Sequence, residues 1–432
     1  MNRKYNIVEL FSGIGSQAKA LNNIGMEIDV IGTCEWDIHA FVAYDAIHNS
    51  TDIPAEVKCM KKEELLELIK GYILSNNGKE AVGYNILKKY SLAVLQRVYT
   101  AIQRSNNFVD VNSLKGNNLT GDIDILTYSF PCQDLSNVGA FHGYNRGIDQ
   151  DSGSRSSLLW QVGRILSEMK EDDKSLPRFL VMENVPTLLS KRHFPDFTVW
   201  LAKLEELGYV NKYYQLNATS FGLPQNRPRL LMVSVFTGDN VNLTEKVEKF
   251  FSIKDEAAVI EDYRKSKYFQ DLQIKDLLRI NYSNPKIFNE ALECTPNDTV
   301  SRQKIWDGNP QIVLTNNEIN DKLTFVRTIT TKQDRNPNSG NLYFDSKMRG
   351  KSKFRYLTPR ECFLFMGFTD EDYKCIVKNN PEIRKGTLLF SRDKIIRMAG
   401  NSIPVKLLEG IFLQIKQLNE ILEREDDVNG RT

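Results

Sequence analysis

Residues 5–24, YNIVELFSGIGSQAKALNNI, decide the fold class of this chain. The first seven, YNIVELF, are rich in apolar side chains, which is typical of a strand. SGIGS at 12–16 supplies a glycine turn, after which apolar residues recur at helical spacing, at Ala18, Ala20, Leu21 and Ile24. A strand, a glycine turn and a helix in this order predict an α/β domain.

The glycine turn has the Gly13-x-Gly15 spacing of a dinucleotide fingerprint, in which glycines let the backbone approach a ligand above a helix N-terminus. A second strand pattern at 26–33 precedes Glu35, and a carboxylate there can accept hydrogen bonds from ribose hydroxyls. Trp36 could wall an adenine, with a buried core tryptophan as the equal alternative. The pattern predicts an adenosine-containing ligand or a plain tight turn, and it does not choose between a nicotinamide cofactor and S-adenosylmethionine.

A cysteine follows the next strand pattern, IDILTYSF at 123–130. Pro131 ends this strand because it lacks an N–H donor. Cys132 is therefore expected at the carboxyl end of a strand, where open α/β sheets bind their ligands. A small buried hydrophobe is the alternative on position alone, since most free cysteines are of that kind.

Two further motifs place polar residues beside strand patterns. Glu183 ends the strand pattern at 178–182 and would face Cys132 across the crest of the sheet, with a simple helix start as the alternative. Arg227 and Arg229 lead into the strand pattern LLMVSV, so that one of them can point at the site. Surface arginines are the alternative for this pair.

Composition excludes several classes of protein. With 432 residues, 41% hydrophobic and 26% charged, the chain is an ordinary globular protein of two or three domains, neither disordered nor fibrous. A net charge of +2 means that any nucleic-acid surface is local. Six cysteines without a CxxC pair and four histidines without ligand spacing predict a reducing cytosol and no bound metal. No apolar run approaches a membrane span, so we expect a cytoplasmic protein.

Three stretches lie outside these motifs. Residues 54–107 carry lysine-, glutamate- and leucine-rich segments with helical periodicity, which predict a helical insertion or cap with solvated charges. Residues 137–156 are rich in glycine and polar side chains, as expected for a lid that closes over Cys132. Residues 345–355, DSKMRGKSKFR, form a dense basic run that could contact phosphates, with a solvated loop as the alternative.

Seven blocks of sequence, taken in order, resemble the motifs of the DNA (cytosine-5)-methyltransferases of the prokaryotic, single-chain, restriction-modification type. They span nearly the whole chain, and PCQ after a strand, Q-x-R-x-R and LTPREC are the most specific. Two departures are Ala18, at the third position of the glycine turn, and the missing leading glycine before Asp110. The blocks are FSGIG (11–15), EW (35–36), SFPCQDLS (129–136), ENV (183–185), QNRPR (225–229), RYLTPRECFLFMGF (355–368) and GNSIP (400–404).

The resemblance implies a fold and a division into domains. The fold class is α/β, a Rossmann-like S-adenosylmethionine-dependent methyltransferase sheet flanked by helices, with a smaller mixed target-recognition domain. Residues 1–236 would form the catalytic, cofactor-binding domain with its helical insertion. Residues 237–390 would form the target-recognition domain, and 391–432 a C-terminal helix that returns to the catalytic domain.

The resemblance also implies catalytic roles. Cys132 is the nucleophile that adds to C6 of cytosine and activates C5, which splits a difficult transfer into easier steps. Glu183 donates to N3 of the base, since burial in a low-dielectric pocket favours its protonated form. Arg229 binds O2 of the base, and Arg227 supports it. Because C5 and C6 are inaccessible in a duplex, the target cytosine must be flipped out of the stack.

Binding residues follow from the same match. Phe11 packs on the adenine, the turn from Ser12 to Gly15 lines the methionine end and Glu35 binds the ribose. Contacts with DNA are expected at Gln133, Ser136, Gly139 and Arg155. The full cofactor set is Phe11, Ser12, Gly13, Ile14, Gly15, Glu35, Trp36, Asp110, Pro131, Asn401 and Ser402, with S-adenosyl-L-methionine as the cofactor.

The function that follows is methylation of a specific sequence in double-stranded DNA by a monomeric bacterial enzyme that protects host DNA, with a cognate restriction endonuclease as an expected partner. A tRNA cytosine-C5 methyltransferase and a catalytically inert DNA-binding homologue are the alternatives. A nicotinamide oxidoreductase would explain the glycine turn and Glu35 but would leave PCQ, ENV and QNRPR without a purpose. The sequence does not reveal the recognition site, because specificity depends on which side chains reach base edges and on DNA shape.

Overall fold

The computed structural model describes residues 3–131, 148, 155–333 and 340–429. Most of the predicted lid at 137–156 therefore lies outside the described residues. The chain divides into two compact units. The first comprises Met1–Leu216, Pro228–Phe269 and Leu407–Thr432, and the second comprises Asn217–Arg227 and Gln270–Lys406. The catalytic and target-recognition roles assigned to the predicted domains stay predictions.

The first unit is built on one six-stranded sheet. Its strands are β1 (Lys4–Leu10), β2 (Glu27–Cys34), β3 (Ile125–Tyr128), β4 (Phe179–Asn184), β5 (Tyr209–Asn217) and, after β6 (Gln225–Asn226) of the second unit, β7 (Pro228–Phe236). The strand order is β2-β1-β3-β4-β7-β5. Strands β2, β1, β3 and β4 pair in parallel, and β7 runs antiparallel to β4. This mostly parallel sheet confirms the predicted α/β fold.

Burial explains why the apolar runs form the centre of the sheet. All four residues of β3 are buried, as are Ile7, Val8 and Leu10 of β1. Strands covered on both faces need such continuous apolar runs. The flanking helices are α1 (Ser16–Asn23), α2 (Ile38–His48), α3 (Ala55–Cys59), α4 (Lys62–Ile69), α5 (Tyr84–Leu87), α6 (Leu92–Arg104), α7 (Leu159–Glu171), α8 (Phe194–Glu206), α9 (Val241–Ile253) and α10 (Glu256–Lys265).

The insertion at 54–107 is helical, as its periodicity predicts, and consists of α3 to α6 with the segment 70–83 between α4 and α5. Helix α6 is capped by the side chain of Ser91, which accepts from the N–H of Val94. Its apolar face is buried through Val94, Leu95 and Val98. The insertion therefore packs into the first unit through α6.

The second unit is smaller and mixed in composition. It contains a three-stranded sheet of β8 (Gln311–Val313), β10 (Asn341–Tyr343) and β11 (Phe354–Arg355), and β6 pairs with β9 (Val326–Arg327). Strands β12 (Glu382–Arg384) and β13 (Thr387–Leu388) form a hairpin. The helices are α11 (Ile274–Leu277), α12 (Pro285–Glu293), α13 (Val300–Gly308), α14 (Pro359–Phe365), α15 (Asp370–Lys378) and α16 (Arg392–Asn401).

The RYLTPREC block forms a buried ion-pair corner within the second unit. The two terminal guanidinium nitrogens of Arg355 donate to the carboxylate of Glu361, at 2.7 and 2.8 Å, and both side chains are fully buried. Thr358 and Glu361 form a capping box at the start of α14. A buried charge needs such a partner, so this motif has a structural role.

The last helix, α17 (Val405–Asn429), lies in the first unit from Leu407 onward. Asn419 donates to the hydroxyl of Tyr5 at 3.1 Å and accepts from Arg178 at 2.9 Å. The C-terminal helix is thus bound to β1 and to the start of β4. Among the described residues, no helix is both long enough and apolar enough to cross a membrane.

Candidate active site

The glycine turn after β1 is tightly wound. Phe11, Gly13 and Gly15 have positive φ angles of 57°, 56° and 78°. A side chain on Gly15 would overlap two others, because an added Cβ would lie 2.3 Å from Nε2 of His48 and 2.7 Å from Tyr44. The Cβ position of Gly13 is open, with no atom within 4 Å. The turn is therefore closed on its α2 side and open at Gly13.

Helix α2 supports the turn from its closed side. Nε2 of His48 lies 3.0 Å from the carbonyl oxygen of Ile14. Tyr44, one helical turn before His48, donates its hydroxyl to the carboxylate of Glu9 in β1. Glu9 also accepts from the N–H of Ala18 at 3.1 Å and is fully buried. Burial raises the pKa of Glu9 to about 7 and raises that of Tyr44 well above its usual value.

Glu35 binds the backbone of the turn at Gly13. One carboxylate oxygen accepts from the N–H of Gly13 at 3.1 Å and the other from the N–H of Asp37 at 2.8 Å. Burial raises the pKa of Glu35 to about 7, and the neighbouring Asp37 carboxylate adds to the rise. Trp36 is half-buried beside it. The structure thus brings the glycine turn, Glu35 and Trp36 together at the carboxyl ends of β1 and β2.

Asp110 occupies a strained corner. Its carboxylate accepts from the backbone and the side chain of Asn112, at 3.1 and 2.9 Å, which is an Asx turn. The preceding Val109 is buried and has a φ of 68°. A β-branched residue rarely adopts this left-handed conformation, which glycine adopts without cost. The backbone therefore keeps a conformation suited to the glycine that is missing here, and the cofactor contact of Asp110 stays a prediction.

These residues fit an adenosine-containing cofactor. The empty position beside Gly13 lets a ligand approach the backbone closely. The carboxylate of Glu35 can accept from ribose hydroxyls, and the rings of Phe11 and Trp36 can pack on an adenine. Ser12 and Ile14 are buried in the same turn. The fit rests on this donor set, and the individual contacts stay predictions.

A second group of residues lies at the carboxyl ends of β3 and β4. The side-chain N–H of Asn184 donates to the carbonyl oxygen of Phe130 at 3.1 Å. The hydroxyl of Ser129 donates to the carbonyl oxygen of Phe11 at 3.3 Å. These bonds fix the chain on both sides just before the half-buried Pro131. The end of β3 is thereby joined to the glycine turn and to the end of β4.

Glu183 and Arg229 form an ion pair at the same edge. Glu183 is in β4 and Arg229 is in β7, which pairs with β4. Nε of Arg229 lies 2.8 Å from Oε1 of Glu183, and the two side chains are only 12% and 13% exposed. Nη1 of Arg229 donates to the carbonyl oxygen of Pro228 at 2.7 Å. A guanidinium has five N–H donors, so Arg229 can donate to a further acceptor while it binds Glu183 and Pro228.

The structure puts Arg227 in a different environment from Arg229. Its guanidinium is buried in the second unit and donates to the carbonyl oxygens of Ile329, Gly400 and Ser402, at 2.7, 2.8 and 2.8 Å. The hydroxyl of Ser402 donates to Met398, and Asn401 is exposed. Arg227 thus organises the GNSIP block. The roles predicted for Arg227 in catalysis and for Asn401 and Ser402 at the cofactor stay predictions.

Comparison with known families assigns residues 60–417 to the C-5 cytosine-specific DNA methylases. The chain belongs to the C-5 cytosine-specific DNA methylase family. It is 32% identical over 417 residues to the orphan methyltransferase M.SssI of Spiroplasma monobiae, across 96% of this chain and 97% of that protein. It is 30% identical over 412 residues to the type II methyltransferase M2.ScrFI of Lactococcus lactis subsp. cremoris, across 95% and 98%.

Solved structures agree on the fold of this DNA methylase. The S. pombe Dnmt2 methyltransferase matches 96% of the chain and 99% of its own length, with a TM-score of 0.57 at 16% identity. The Entamoeba histolytica methyltransferase EhMeth matches 97% and 99%, with a TM-score of 0.53 at 13% identity. At these identities the likeness concerns the fold. Together with the family match, it confirms the resemblance read from the motif blocks, and the enzyme is a DNA (cytosine-5-)-methyltransferase.

Some residues predicted for this DNA methylase lie outside the described part of the chain. They are Cys132, Gln133, Ser136 and Gly139. Arg155 begins a 3-10 turn, Arg155–Leu158, and its side chain is likewise outside the description. The catalytic role of Cys132 and the four contacts with DNA stay predictions.

The sequence motifs do not include the residues that support the backbone of the site. Glu9, Tyr44 and His48 support the glycine turn, and Asn107 binds the backbone of Glu35. Glu9 had a usable signal, because a carboxylate within a strand that is otherwise apolar must find a partner inside the protein. Nothing in the local sequence of Tyr44 or His48 distinguishes them from core residues.

Proposed function

We propose that this DNA methylase transfers a methyl group from S-adenosylmethionine to C5 of a cytosine flipped out of duplex DNA, through a covalent bond between Cys132 and C6. The observation that carries the proposal is the largely buried ion pair of Glu183 and Arg229. It lies at the carboxyl end of β4, beside the end of β3 that leads to Pro131. N3 and O2 of a cytosine are both acceptors, so they require a protonated carboxyl group and a guanidinium that can still donate.

The cysteine is needed because C5 of cytosine is a poor nucleophile. When the thiolate of Cys132 forms a bond to C6, the C5–C6 double-bond electrons move into the ring and leave C5 nucleophilic as part of an enamine. Glu183 supports this step by donating a hydrogen bond or proton to N3. Arg229, held by Glu183 and by the Pro228 carbonyl, keeps donors for O2.

S-adenosylmethionine would supply an electrophilic methyl group to C5. The residues proposed to hold it are the turn around Gly13, the carboxylate of Glu35 and the rings of Phe11 and Trp36. The transfer would leave S-adenosylhomocysteine. Water or another base then takes the proton from C5, the C5–C6 double bond forms again as the bond between sulfur and C6 breaks, and the thiolate of Cys132 departs. N3 returns its proton to Glu183. The base is then aromatic again, and the cysteine is ready for another cytosine.

Bisulfite sequencing tests this function and also identifies the recognition site. DNA from a host that lacks its own cytosine-C5 methylation, but expresses this enzyme, should contain 5-methylcytosine within one short sequence. The Cys132→Ala variant serves as the control and should give only background. Equal methylation with both proteins would overturn the proposed chemistry, and a methyl label appearing in tRNA alone would favour the RNA alternative.

We further propose that this methylation protects host DNA from a restriction endonuclease. One similar relative carries the name of a type II methyltransferase, whereas another is named an orphan. Protection requires that modified DNA resist an endonuclease that cuts the unmodified site. Digestion of host DNA with endonucleases that recognise the site found by bisulfite sequencing tests this proposal, and complete cutting by all of them would contradict it.

Cofactor affinity is expected to weaken as the pH falls below about 7. Glu35 has a pKa raised to about 7, so acidification from there converts its carboxylate to the neutral acid. Because ribose hydroxyls donate to the ionised carboxylate, protonation should raise the Kd by up to about tenfold per pH unit. Calorimetric titration with S-adenosylhomocysteine from roughly pH 5.5 to roughly pH 8.5 measures how the Kd changes with pH on both sides of that pKa.

Glu9 supplies the matched control, because burial raises its pKa to about 7 as well. Its carboxyl group binds Ala18 and Tyr44 behind the turn. Glu35→Gln should therefore abolish the pH dependence of the Kd, whereas Glu9→Gln should retain it. A slope that survives in Glu35→Gln would show that another group is responsible.

A further inference from the structure

The helical insertion forms hydrogen bonds with the backbone of segment 35–38 through two residues that are far apart in the sequence. Those four residues contain Glu35 and Trp36, and they form the corner between β2 and α2. Asn107, at the end of the insertion, and Ser75, in its middle, bind peptide groups of this corner. Because backbone groups removed from water need partners, these bonds determine where the corner lies.

Asn107 binds the peptide groups of Glu35 itself. Its side-chain oxygen accepts from the N–H of Glu35 at 3.0 Å, and its side-chain nitrogen donates to the carbonyl oxygen of Glu35 at 3.0 Å. Asn107 is buried. The amide therefore holds the backbone from which the predicted ribose-binding carboxylate projects.

Ser75 binds the residues that follow. Its N–H donates to the carbonyl oxygen of Trp36 at 2.8 Å, and its carbonyl oxygen accepts from the N–H of Ile38 at 2.9 Å. Ser75 is fully buried, and its hydroxyl donates to the carbonyl oxygen of Glu80 at 2.7 Å and accepts from Gly78 at 2.9 Å. A closed loop of the insertion thus continues the backbone pairing beyond the end of β2.

The insertion also holds α2, which supports the glycine turn. Arg104, in the last turn of α6, binds both carboxylate oxygens of Asp45 in α2, at 3.2 and 3.3 Å, and the carbonyl oxygen of Ser50 at 2.7 Å. Asp45 is buried and lies between Tyr44 and His48 along the helix. The insertion is therefore connected to the turn as well as to Glu35.

We propose that the insertion at 54–107 is an integral part of the cofactor site, with Asn107 as a positioning residue that sets the affinity for S-adenosylmethionine. This inference rests on the proposed function, because it assumes that Glu35 binds the ribose of that cofactor. Displacement of the Glu35 backbone moves the carboxylate away from the hydroxyls, so affinity falls without any need for direct contact between Asn107 and the ligand.

The test compares Asn107→Ala with Asn106→Ala. The side-chain nitrogen of Asn106 donates at 2.8 Å to the carbonyl oxygen of Ile31, in the middle of β2 and away from the corner. Its φ of 40° also makes alanine unfavourable there, so this control should lower the melting temperature as well, although by less than the loss of the three bonds of the buried Asn107 side chain. We expect the Kd for S-adenosylhomocysteine, measured by calorimetry, to rise by about tenfold in Asn107→Ala. In Asn106→Ala it should stay within about twofold of wild type.

Hydrogen–deuterium exchange on the wild-type enzyme keeps the proposal testable if Asn107→Ala does not fold. Saturation with S-adenosylhomocysteine should slow exchange in the peptides containing Ser75 and Asn107, as well as in the glycine turn. Protection limited to the turn and residues 35–37, or equal Kd values for wild type and a folded Asn107→Ala, would overturn this inference alone. If the wild-type enzyme does not bind S-adenosylhomocysteine at all, the proposed cofactor falls as well.

Discussion

Replacing Cys132 with serine is expected to lower methyl transfer by roughly 10⁴-fold or more, the size of loss typical when a catalytic nucleophile is removed. A hydroxyl is far less ionised than a thiol near neutral pH, so addition to C6 would rarely occur. The Kd for S-adenosylhomocysteine should stay within about twofold of wild type, because the residues proposed to hold the cofactor are unchanged. Single-turnover transfer of a labelled methyl group to duplex DNA measures the loss.

Cys59 offers a matched control for this substitution. It is exposed at the end of α3 in the insertion, and an exposed side chain can usually be changed with little effect. Cys59→Ser should therefore keep wild-type activity. If Cys132→Ser retained more than about one tenth of the wild-type rate, the loss would be too small for a missing nucleophile, and another residue would have to form the bond to C6.

Glu183→Gln is expected to lower kcat by about 10²- to 10⁴-fold, the usual contribution of a general acid. Glutamine has nearly the same shape and can still accept from Nε of Arg229, which lies 2.8 Å from Glu183. It cannot transfer a proton to N3, so the electrons displaced by the thiolate are stabilised less well. The KM for DNA should change much less than kcat, because the loss is confined to the transition state.

The ion pair between Arg164 and Glu168 in α7 provides a comparison. Arg164 Nη1 lies 2.6 Å from Oε1 of Glu168, and both side chains are about one third exposed, at 32% and 31%. Glu168→Gln removes the same charge from a Glu–Arg pair that the mechanism does not use. It should leave kcat unchanged. Comparable losses of kcat in the two variants would indicate that Glu183 matters for stability rather than for proton transfer.

Much of the fold could be predicted because its signals are local. The strand, turn and helix at 5–24 appear as β1, the turn and α1, and the helical periodicity of 54–107 appears as α3 to α6. These elements follow from side-chain spacing within about a dozen residues. The positive φ of Gly13 and Gly15 follows likewise, since glycine is the residue that adopts this conformation most readily.

The supports of the site could not be predicted, because they join residues distant in sequence. Asn107 binds Glu35 across 72 residues, and Arg227 binds Ser402 across 175. Within QNRPR, Arg227 belongs to the second unit and Arg229 to the first. A motif match treats the two as one cluster, whereas folding gives them different partners.

At Val109 the backbone conformation is kept although the motif residue is absent. The sequence lacks the glycine that the family pattern places before Asp110, yet the backbone keeps a left-handed conformation there. Surrounding contacts, including the bond from Phe108 N–H to the Thr33 carbonyl at 2.9 Å and that from Val109 N–H to Asn107 at 3.0 Å, maintain it. Strain of this kind persists when neighbouring structure determines the conformation.

The covalent adduct at Cys132 is the central claim, and trapping it is the most direct measurement. Duplex DNA carrying 5-fluorocytosine at the methylated position cannot lose fluorine from C5 as a proton is lost, so the bond between sulfur and C6 should persist. Incubation with S-adenosylmethionine should then give a protein–DNA band that survives a denaturing gel, and peptide mapping should place the DNA on Cys132. If a preparation that methylates ordinary DNA forms no such adduct, or forms it on another residue, Cys132 is not the nucleophile.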